Sequence, residues 1–576
     1  MQEKIRKKWF FFENYVYAFI LAILPQFHVT KGVDFTDTGY SIMLFQNSGS
    51  HFSYWMLSTH LANRVGALLM KLPGGDTYIG IKVYCLLLLG GMAVGLYLFL
   101  SKFFPHRFVF LGMVLALCVR WCPGVVLYNY LSYLLYYAAV ILLVTACSRE
   151  NQGLFFAAGV LLGINVFTRI SNVTEVILIL PVIFWSVIRK QKIKETAKTV
   201  LTCVLGFLTG AGSIGGVIAV KYGLNAYIRM IKSLMGLSDI QDNYSQASML
   251  TAIWDIIRQY RIWLVSILAI VVVFSITARL CKAKRMTYIN ALASVVAVLV
   301  WLRYAHYWSA FSIHDYTRTL AFELFMVVFV MVAVIVSLGV ILSKKRTPEL
   351  RVLAMINLCT LFIAPLGTNT GFLAVINNMY YVLPVTFGML GLLFFSEKKK
   401  YVLPVKAVSL VLFTVTLLQC GLFAVNHVYG AAKASELKTG IAYNDTLRGA
   451  QVLEGMEPIL TEITEYVYNN ELRGKKCITF GNIPLMAFAL DMSTALSTSW
   501  PDLNSYSIEN LREELRLVQE EKPVIILNKW YFFGKDIFNE EIWRDLPKTK
   551  VMADYMTDHG YQLTFENDKF WVYEGL

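Results

Sequence analysis

The chain has 576 residues, of which 57% are hydrophobic and 16% are charged, and its mean hydropathy is +0.56. Soluble domains carry about 25% charged residues, so this composition excludes a purely soluble protein. Apolar runs recur from Trp9 to Val425, which excludes a single-pass anchor, and the many Phe, Tyr and Leu residues exclude a disordered chain. The sequence therefore predicts a polytopic α-helical membrane protein.

The net charge of +14 is unevenly distributed. Residues 1–426 hold 37 Lys and Arg against 15 Asp and Glu, whereas residues 427–576 hold 15 against 23. The positive charge of the first part lies in short loops between apolar runs, which indicates membrane topology rather than nucleic-acid binding. We therefore predict two domains, a transmembrane domain over 1–426 and a second domain over 427–576.

A helix needs about 20 residues to cross ~30 Å of hydrocarbon, and thirteen apolar segments qualify as spans. In chain order the predicted spans are 10–28, 77–100, 107–125, 130–147, 153–169, 173–188, 199–220, 262–280, 286–303, 320–343, 351–366, 373–396 and 402–425. With the N-terminus in the cytoplasm, the cytoplasmic segments collect 24 Lys and Arg and the longer outer segments collect 12. This bias favours a multi-pass cell-membrane protein whose C-terminal domain is extracytoplasmic.

Two outer loops, 29–76 and 221–261, contain apolar-periodic stretches that predict helices lying in the membrane interface. The C-terminal domain alternates helical patterns with buried-type strands, among them 476–480 and 523–527, and ends in a hairpin pattern over 561–573. This alternation predicts an α/β domain with a partly parallel sheet.

Two carboxylates follow the first predicted span, in the sequence Val33-Asp34-Phe35-Thr36-Asp37-Thr38-Gly39-Tyr40. A carboxylate there can accept a proton from a sugar hydroxyl, and Asp34 with Asp37 can hold a divalent cation such as Mg²⁺ or Mn²⁺. The alternative is an Asx-type turn in a solvated loop, which the same residue types form without any chemical role. The residues alone leave both interpretations open.

The segment Asp37-Thr38-Gly39-Tyr40, in the first outer loop of a many-span protein, resembles the acidic motif of the GT-C glycosyltransferases. Those enzymes often carry an Asp-Glu pair before a Gly-Tyr step, whereas this sequence has Thr38 at the Glu position and a second acid at Asp34. The layout is similar to the branch with protein O-mannosyltransferases and aminoarabinose transferases, which has thirteen spans and an outward C-terminal domain. Gly159 to Arg169 also resembles a glycine-containing run at a span end of these proteins.

Other candidate binding residues lie at the predicted outer ends of spans or in the predicted outer loops. Arginine recognises phosphate through paired hydrogen bonds, so such residues can frame a lipid headgroup. Snorkelling, ion pairing, an aromatic interfacial belt and a simple turn are the alternatives. The candidates are Arg120, Arg169, Arg303, Tyr40, His306, His314, Asp315, Arg318 and Asn369.

The resemblance implies an inverting glycosyltransferase that takes a sugar from a polyprenyl-phosphate donor. The acceptor would be a hydroxyl of a glycan, lipid or protein on the outer face, as in cell-surface glycan or glycolipid assembly. It also implies that Asp37 is the base, with Asp34 assisting it or holding a cation. The rival hypothesis is a transporter or flippase of a lipid-linked sugar, although the predicted membrane interior is poor in charge. A non-catalytic sensor is a third possibility.

Overall fold

The computed structural model describes residues 11–48, 54–240, 246–280, 284–395 and 402–575. Within these ranges, eight helices are long and apolar enough to cross a membrane, which confirms a polytopic helical protein. They are Tyr78–Leu100, Leu127–Arg149, Ile170–Ile188, Ile193–Tyr222, Arg261–Leu280, Arg285–Tyr307, Glu323–Leu342 and Leu403–Asn426.

The other five predicted spans coincide with shorter helices. The first of these five, 10–28, consists of a π-helical turn, an α-helix and a 3₁₀ turn. The fifth, 373–396, is divided at Asn378. The observed elements are Phe12–Val16 with Tyr17–Ile23 and Leu24–Gln26, His106–Cys118, Gln152–Asn165, Pro348–Ile363, and Phe372–Asn377 with Met379–Leu390 and Gly391–Phe395.

Two of these helices end earlier than predicted, and this changes the position of two candidate arginines. The predicted span 107–125 ends as a helix at Cys118, so Arg120 lies in the loop that contains Pro123. Proline disfavours helical geometry at the residue before it, which accounts for a loop here. The predicted span 153–169 likewise ends at Asn165, and Arg169 has extended backbone geometry (φ −159°, ψ 127°).

Glycine packing joins two neighbouring helices. A Cβ atom on Gly159 or Gly163 would lie about 2 Å from carbonyl oxygens of the helix Ile193–Tyr222, at 2.2 Å from Cys203 O and 2.1 Å from Phe207 O. Since no side chain fits at these distances, the two glycines serve close helix approach. The glycine run that resembles the GT-C pattern thus has a packing role in this chain.

Helices occur in both loops that were predicted to contain interfacial helices. In loop 29–76 the predicted apolar stretch 52–70 contains the 3₁₀ segment Tyr54–Thr59 and the helix His60–Leu69, and residues 52–53 lie outside the described ranges. The same loop also forms the helix Asp37–Asn47, which the apolar periodicity did not predict. Loop 221–261 forms Leu224–Ile240 and Gln246–Gln259. The periodicity thus identified helices in both loops, and their position in the membrane interface stays a prediction.

Residues 427–575, the C-terminal unit, contain seven strands within the described residues. The strands are β1 Thr439–Gly440, β2 Gln451–Val452, β3 Lys476–Phe480, β4 Ser493–Thr494, β5 Val524–Asn528, β6 Tyr561–Glu566 and β7 Phe570–Gly575. Strands β1 and β2 form a short separate pair, and the other five form a mixed sheet with the order β4-β3-β5-β7-β6. Strands β3, β4 and β5 are parallel, and β5, β7 and β6 are antiparallel, as the strand–helix pattern predicts. The helices are Met456–Asn469, Leu485–Ala489, Ile508–Val518, Glu540–Trp543 and Pro547–Asp558.

The C-terminal unit packs directly on the first outer loop. Gly39 lies so close to the helix Leu485–Ala489 that a Cβ atom would be 2.5 Å from Leu485 N. The Leu485 N–H donates to Phe35 O at 3.1 Å, and Lys31 forms a parallel bridge with Gln451. Ile42 and Phe45 share a hydrophobic core with the buried residues of this unit. The loop that carries both candidate acids is therefore covered by the C-terminal unit.

Candidate functional site

Asp34 organises a buried turn before the helix Asp37–Asn47. Its side chain is 3% exposed, and its Oδ1 accepts from Thr36 N at 2.9 Å and from Thr36 Oγ1 at 2.6 Å. Its Oδ2 accepts from Thr38 N at 2.7 Å, which satisfies a backbone donor of the first helical turn. The turn predicted as one alternative is present, but it is buried rather than solvated.

Asp37 is the first residue of that helix and is half-buried. Its Oδ2 accepts a short hydrogen bond from the hydroxyl of Tyr429, a residue just beyond the helix Leu403–Asn426. Burial raises the pKa of Asp37, the Tyr429 hydrogen bond lowers it, and the charge of Asp34 raises it, with a net upward shift. A carboxylate with a raised pKa is better suited to accept a proton than an exposed one.

A cavity of about 110 Å³ lies beside this loop, where four helix ends meet. Its walls come from residues 24–34, from the start of the helix Tyr78–Leu100, from residues 117–125 and from residues 423–429. The ionisable residues on its walls, apart from tyrosine and cysteine, are Lys31, Lys82, Arg120, Asp34, His28 and His427, and we call it the basic cavity. Three basic side chains, Lys31, Lys82 and Arg120, against one carboxylate make it suited to an anion.

Arg120 contributes a guanidinium group with unused hydrogen-bonding capacity to the basic cavity. Its Nη2 donates to Pro25 O at 3.3 Å, whereas its Nη1 is buried and has no hydrogen-bond partner within the described residues. Gly124 lies so close that a Cβ atom would be 3.4 Å from Nη1. Buried polar groups are almost always satisfied, so this nitrogen is available to a water molecule or to a ligand in the cavity.

Lys82 is the second cation of the basic cavity, and it was not among the predicted site residues. Its Nζ donates to Lys31 O at 3.3 Å and lies 4.9 Å from the centre of the Tyr78 ring. Tyr78 in turn accepts from Asp34 N at 2.9 Å, so Lys82 belongs to the same cluster as the Asp34 turn. The sequence carries a signal for it, because an ionisable residue within an apolar span is a functional candidate by default.

The segment after the last long helix closes the basic cavity on one side. The ring nitrogens of His427 lie 2.8 Å from Thr317 O and 3.1 Å from Trp121 O, and burial lowers the pKa of this histidine. Gly430 has φ +66°, and a Cβ there would lie 2.7 Å from Asp34 Oδ1. His427 and Tyr429 had no recognisable sequence pattern, since only the fold brings them to the first loop.

Arg169 lies next to the basic cavity but is not part of its wall. It donates to Asn129 Oδ1 at 3.3 Å and to Gly367 O, and the Asn129 amide reaches the sulfur of Cys122 in the cavity wall at 3.7 Å. Asn369 belongs to the turn after Gly367 and is exposed. Arg169 thus connects this turn to the cavity wall.

The remaining predicted binding residues lie outside the cavity wall. Arg303 is exposed with its guanidinium 6.0 Å from the Tyr307 ring centre, and Tyr40 packs on Trp500 at 5.8 Å. The other four predicted residues pair with one another. His306, in the last turn of the helix that ends at Tyr307, lies 5.6 Å from His314 between ring centres, and Asp315 pairs with Arg318 at 3.4 Å.

The two acids do not form the expected cation site. Both oxygens of Asp34 already accept hydrogen bonds, and Asp37 uses one oxygen for Tyr429. Over the described ranges, no group of three His, Cys, Asp or Glu residues is placed to hold a metal ion. Since Mg²⁺ and Mn²⁺ require several oxygen ligands, the residues present do not fit a resident cation.

The arrangement can bind an anion next to a carboxylate that accepts protons. The candidate anion site is the basic cavity, and Tyr429 both lines that cavity and donates to Asp37. Neither a family model nor a curated relative matches this sequence, so the geometry of this site is the basis for assigning its function.

Proposed function

We propose that the protein is an integral membrane glycosyltransferase of the GT-C type. It moves a sugar from a polyprenyl-phosphate-linked donor to an acceptor hydroxyl on the outer face of the cell membrane. The observation that carries the proposal is the unpartnered Nη1 of Arg120 in a cavity whose wall includes Tyr429, the hydrogen-bond donor to Asp37. This arrangement brings a site for a departing phosphate next to a base.

The convergence of helix ends supports the proposed topology. The C-terminal ends of the first and the last predicted spans both contribute to the basic cavity, through residues such as Leu24 and Phe423. Two spans that end at the same face run in the same direction, so the number of crossings from the first to the last is odd. An odd number agrees with thirteen spans, a cytoplasmic N-terminus and an extracytoplasmic C-terminal unit.

In the proposed reaction the basic cavity receives the phosphate of the donor. The acceptor oxygen forms a bond to the anomeric carbon while the bond from that carbon to the phosphate oxygen breaks, with inversion. The bonding electron pair leaves with the phosphate, and Arg120 and Lys82 stabilise the added negative charge. The acceptor proton passes to Asp37, which the acceptor reaches by displacing the hydroxyl of Tyr429.

Asp34 has a positioning role in this proposal. Its oxygens hold Thr36 and Thr38, so the helix begins at Asp37 with the carboxylate directed to Tyr429. No step involves a metal ion.

The test is transfer in membranes containing the full chain, with polyprenyl-phosphate mannose, glucose and galactose as donors. The substitution Asp37→Asn is expected to lower transfer by about 10²–10⁴-fold while expression is unchanged, because general base catalysis contributes that much. Asp76→Asn, an exposed acid of the same outer loop, is the matched control and is expected to leave transfer unchanged. Transfer retained by Asp37→Asn would exclude Asp37 as the base.

A flippase of a lipid-linked sugar is the second candidate. Glu175 favours it, because this carboxylate is 5% exposed in an apolar segment and receives both its hydrogen bonds from Asn165, at 2.9 and 3.0 Å. Reconstituted vesicles distinguish the two functions. Movement of a labelled donor across the bilayer without a glycosidic product supports the flippase, and a product that depends on Asp37 supports the transferase.

A further inference from the structure

The C-terminal unit contains a second and larger cavity, of about 370 Å³, far along the chain from the basic cavity. It lies where β3 and β5 end, and these two strands are parallel, so their carboxyl ends share one edge of the sheet. Asn528 at the end of β5 donates to Gly481 O after β3 at 2.8 Å, which ties the two ends together. Ligands of open α/β sheets bind outside the carboxyl ends of the strands.

The wall of this cavity, which we call the C-terminal cleft, offers hydrogen-bonding groups of several kinds. Glu509 and Asp545 are exposed acceptors, and Asn504 is an exposed amide that both donates and accepts. Lys548 is a donor whose Nζ already donates to Pro501 O at 3.1 Å and to Leu503 O at 2.6 Å. Tyr531 contributes an aromatic ring to the same wall. Hydroxyl groups both donate and accept, so a polyhydroxylated molecule matches this mixture.

The charges argue against other ligands. The cleft has three carboxylates, Asp502, Glu509 and Asp545, against one ammonium group, which disfavours a phosphate or another anion. The oxygens of Asp502 are already used, since they accept from Gly481 N at 3.1 Å and from Asn482 N at 2.7 Å. A divalent cation would therefore have to depend on exposed carboxylates alone.

The C-terminal cleft is connected to the helix that carries Asp37. Tyr40 lies about one turn after Asp37 on the same helix face and packs on Trp500 with ring centres 5.8 Å apart. The Trp500 indole N–H donates to Asn482 Oδ1 at 3.0 Å, and Asn482 also binds the carboxylate of Asp502 in the cleft wall. Three successive contacts thus lead from this helix to the cleft.

We propose that the C-terminal cleft is a saccharide-binding site, and that it holds a sugar unit of the acceptor. The binding of a saccharide stands on the cleft alone, whereas its role as acceptor rests on the proposed function. A cavity of this size lies within the range of small-molecule sites, roughly 300–1,000 Å³.

The test uses the full chain in detergent and the methyl glycosides of glucose, galactose, mannose and rhamnose, with saturation-transfer NMR as the readout. We expect transfer to at least one glycoside, and at least a fivefold loss of that signal in the double variant E509Q/D545N. Both side chains are exposed, so this variant is expected to fold. The matched control is Glu513→Gln, an exposed acid on the same helix outside the cleft wall, which should keep the signal.

The outcomes separate this inference from the proposed function. Asp37→Asn should abolish sugar transfer and leave glycoside binding intact. No signal from any of the four glycosides would overturn the inference, as would an equal signal in E509Q/D545N or binding of inorganic phosphate that E509Q/D545N abolishes. None of these results would alter the expected effect of Asp37→Asn on transfer.

Discussion

Two turns of this protein have the same local structure and opposite surroundings. Asp34-Phe35-Thr36 and Asp315-Tyr316-Thr317 share the pattern Asp, aromatic, Thr. In each turn Oδ1 of the aspartate accepts from the threonine N–H at 2.9 Å and from the threonine Oγ1 at 2.6 Å. The first aspartate is 3% exposed and lines the basic cavity, whereas the second has a side chain that is 45% exposed.

The difference shows that the turn follows from the local sequence and its role follows from what packs on it. The C-terminal unit, including its first residues 427–431, covers the first turn, whereas the aspartate of the second turn pairs with the exposed Arg318 at 3.4 Å. The hydrogen bonds of Thr317 lower the pKa of Asp315, with a smaller lowering from the charge of Arg318. At Asp34 the equivalent hydrogen bonds fix the start of the helix Asp37–Asn47, whose first residue is the proposed base.

The largest expected contrast is in stability. Asp34→Ala removes three hydrogen bonds to a buried carboxylate, and we expect it to lower the free energy of unfolding by about 3 kcal/mol. Asp315→Ala removes the equivalent bonds in a solvated loop, and we expect a loss below about 1 kcal/mol. Thermal unfolding of both variants in the same detergent measures this contrast. Equal losses would show that burial does not distinguish the turns.

An arginine associated with each turn gives the next contrast, since Arg120 lines the same cavity as Asp34 and Arg318 pairs with Asp315. Arg120→Met is expected to weaken the binding of a short-chain polyprenyl phosphate by about tenfold to a hundredfold, since a hydrogen bond to a charged group contributes about 1.5–3 kcal/mol. Arg318→Met should change it less than twofold, because that side chain is 81% exposed. Inhibition of transfer by the free lipid phosphate measures both affinities. An unchanged affinity in Arg120→Met would remove the basic cavity from the proposal.

A pH profile gives a further contrast between hydroxyl groups near the two turns. The Tyr429 hydrogen bond lowers the pKa of Asp37 against the raising effect of burial, so Tyr429→Phe should raise that pKa. A base acts when it is deprotonated, so on acidification the variant should lose transfer at a higher pH than the unaltered protein does. Tyr316→Phe in the second turn is the control and should leave the profile unchanged. A shift to lower pH in Tyr429→Phe would contradict the assignment.

The smallest expected contrast is between the two threonines. Thr36→Val deletes one hydroxyl donor to the buried Asp34, and we expect a loss of about 1–2 kcal/mol. Thr317→Val deletes the equivalent donor in the solvated turn and should cost less than about 0.5 kcal/mol. Chemical denaturation of the two variants side by side is the measurement. A larger loss in Thr317→Val would reverse the comparison.

Much of the fold could be predicted because its signals are local. The long apolar runs, the strands at 476–480 and 524–528 and the hairpin over 561–575 were identified with small errors at their ends. The end of the helix before Arg120 was missed, because the apolar run continues through Val119 while the chain leaves the helix at Cys118.

The site was less accessible to sequence reasoning. Asp34 and Arg120, both predicted as site residues, line the basic cavity. Tyr429, which lines the cavity and donates to Asp37, comes from a segment nearly 400 residues later, as does His427. The predicted cluster around His306 and Asp315 lies outside the cavity wall. A dense polar and aromatic pattern thus did not identify which loop faces the cavity.

By itself the sequence determined the membrane class, the alternation of the C-terminal unit and the shape of both Asp-aromatic-Thr turns, because apolar length, periodicity and short-range hydrogen bonds depend on neighbouring residues. Only the tertiary structure decided that one of these turns is buried beside Lys82 and Arg120 and that Tyr429 donates to Asp37. Burial and the meeting of charges depend on contacts between distant segments, and no local pattern encodes them.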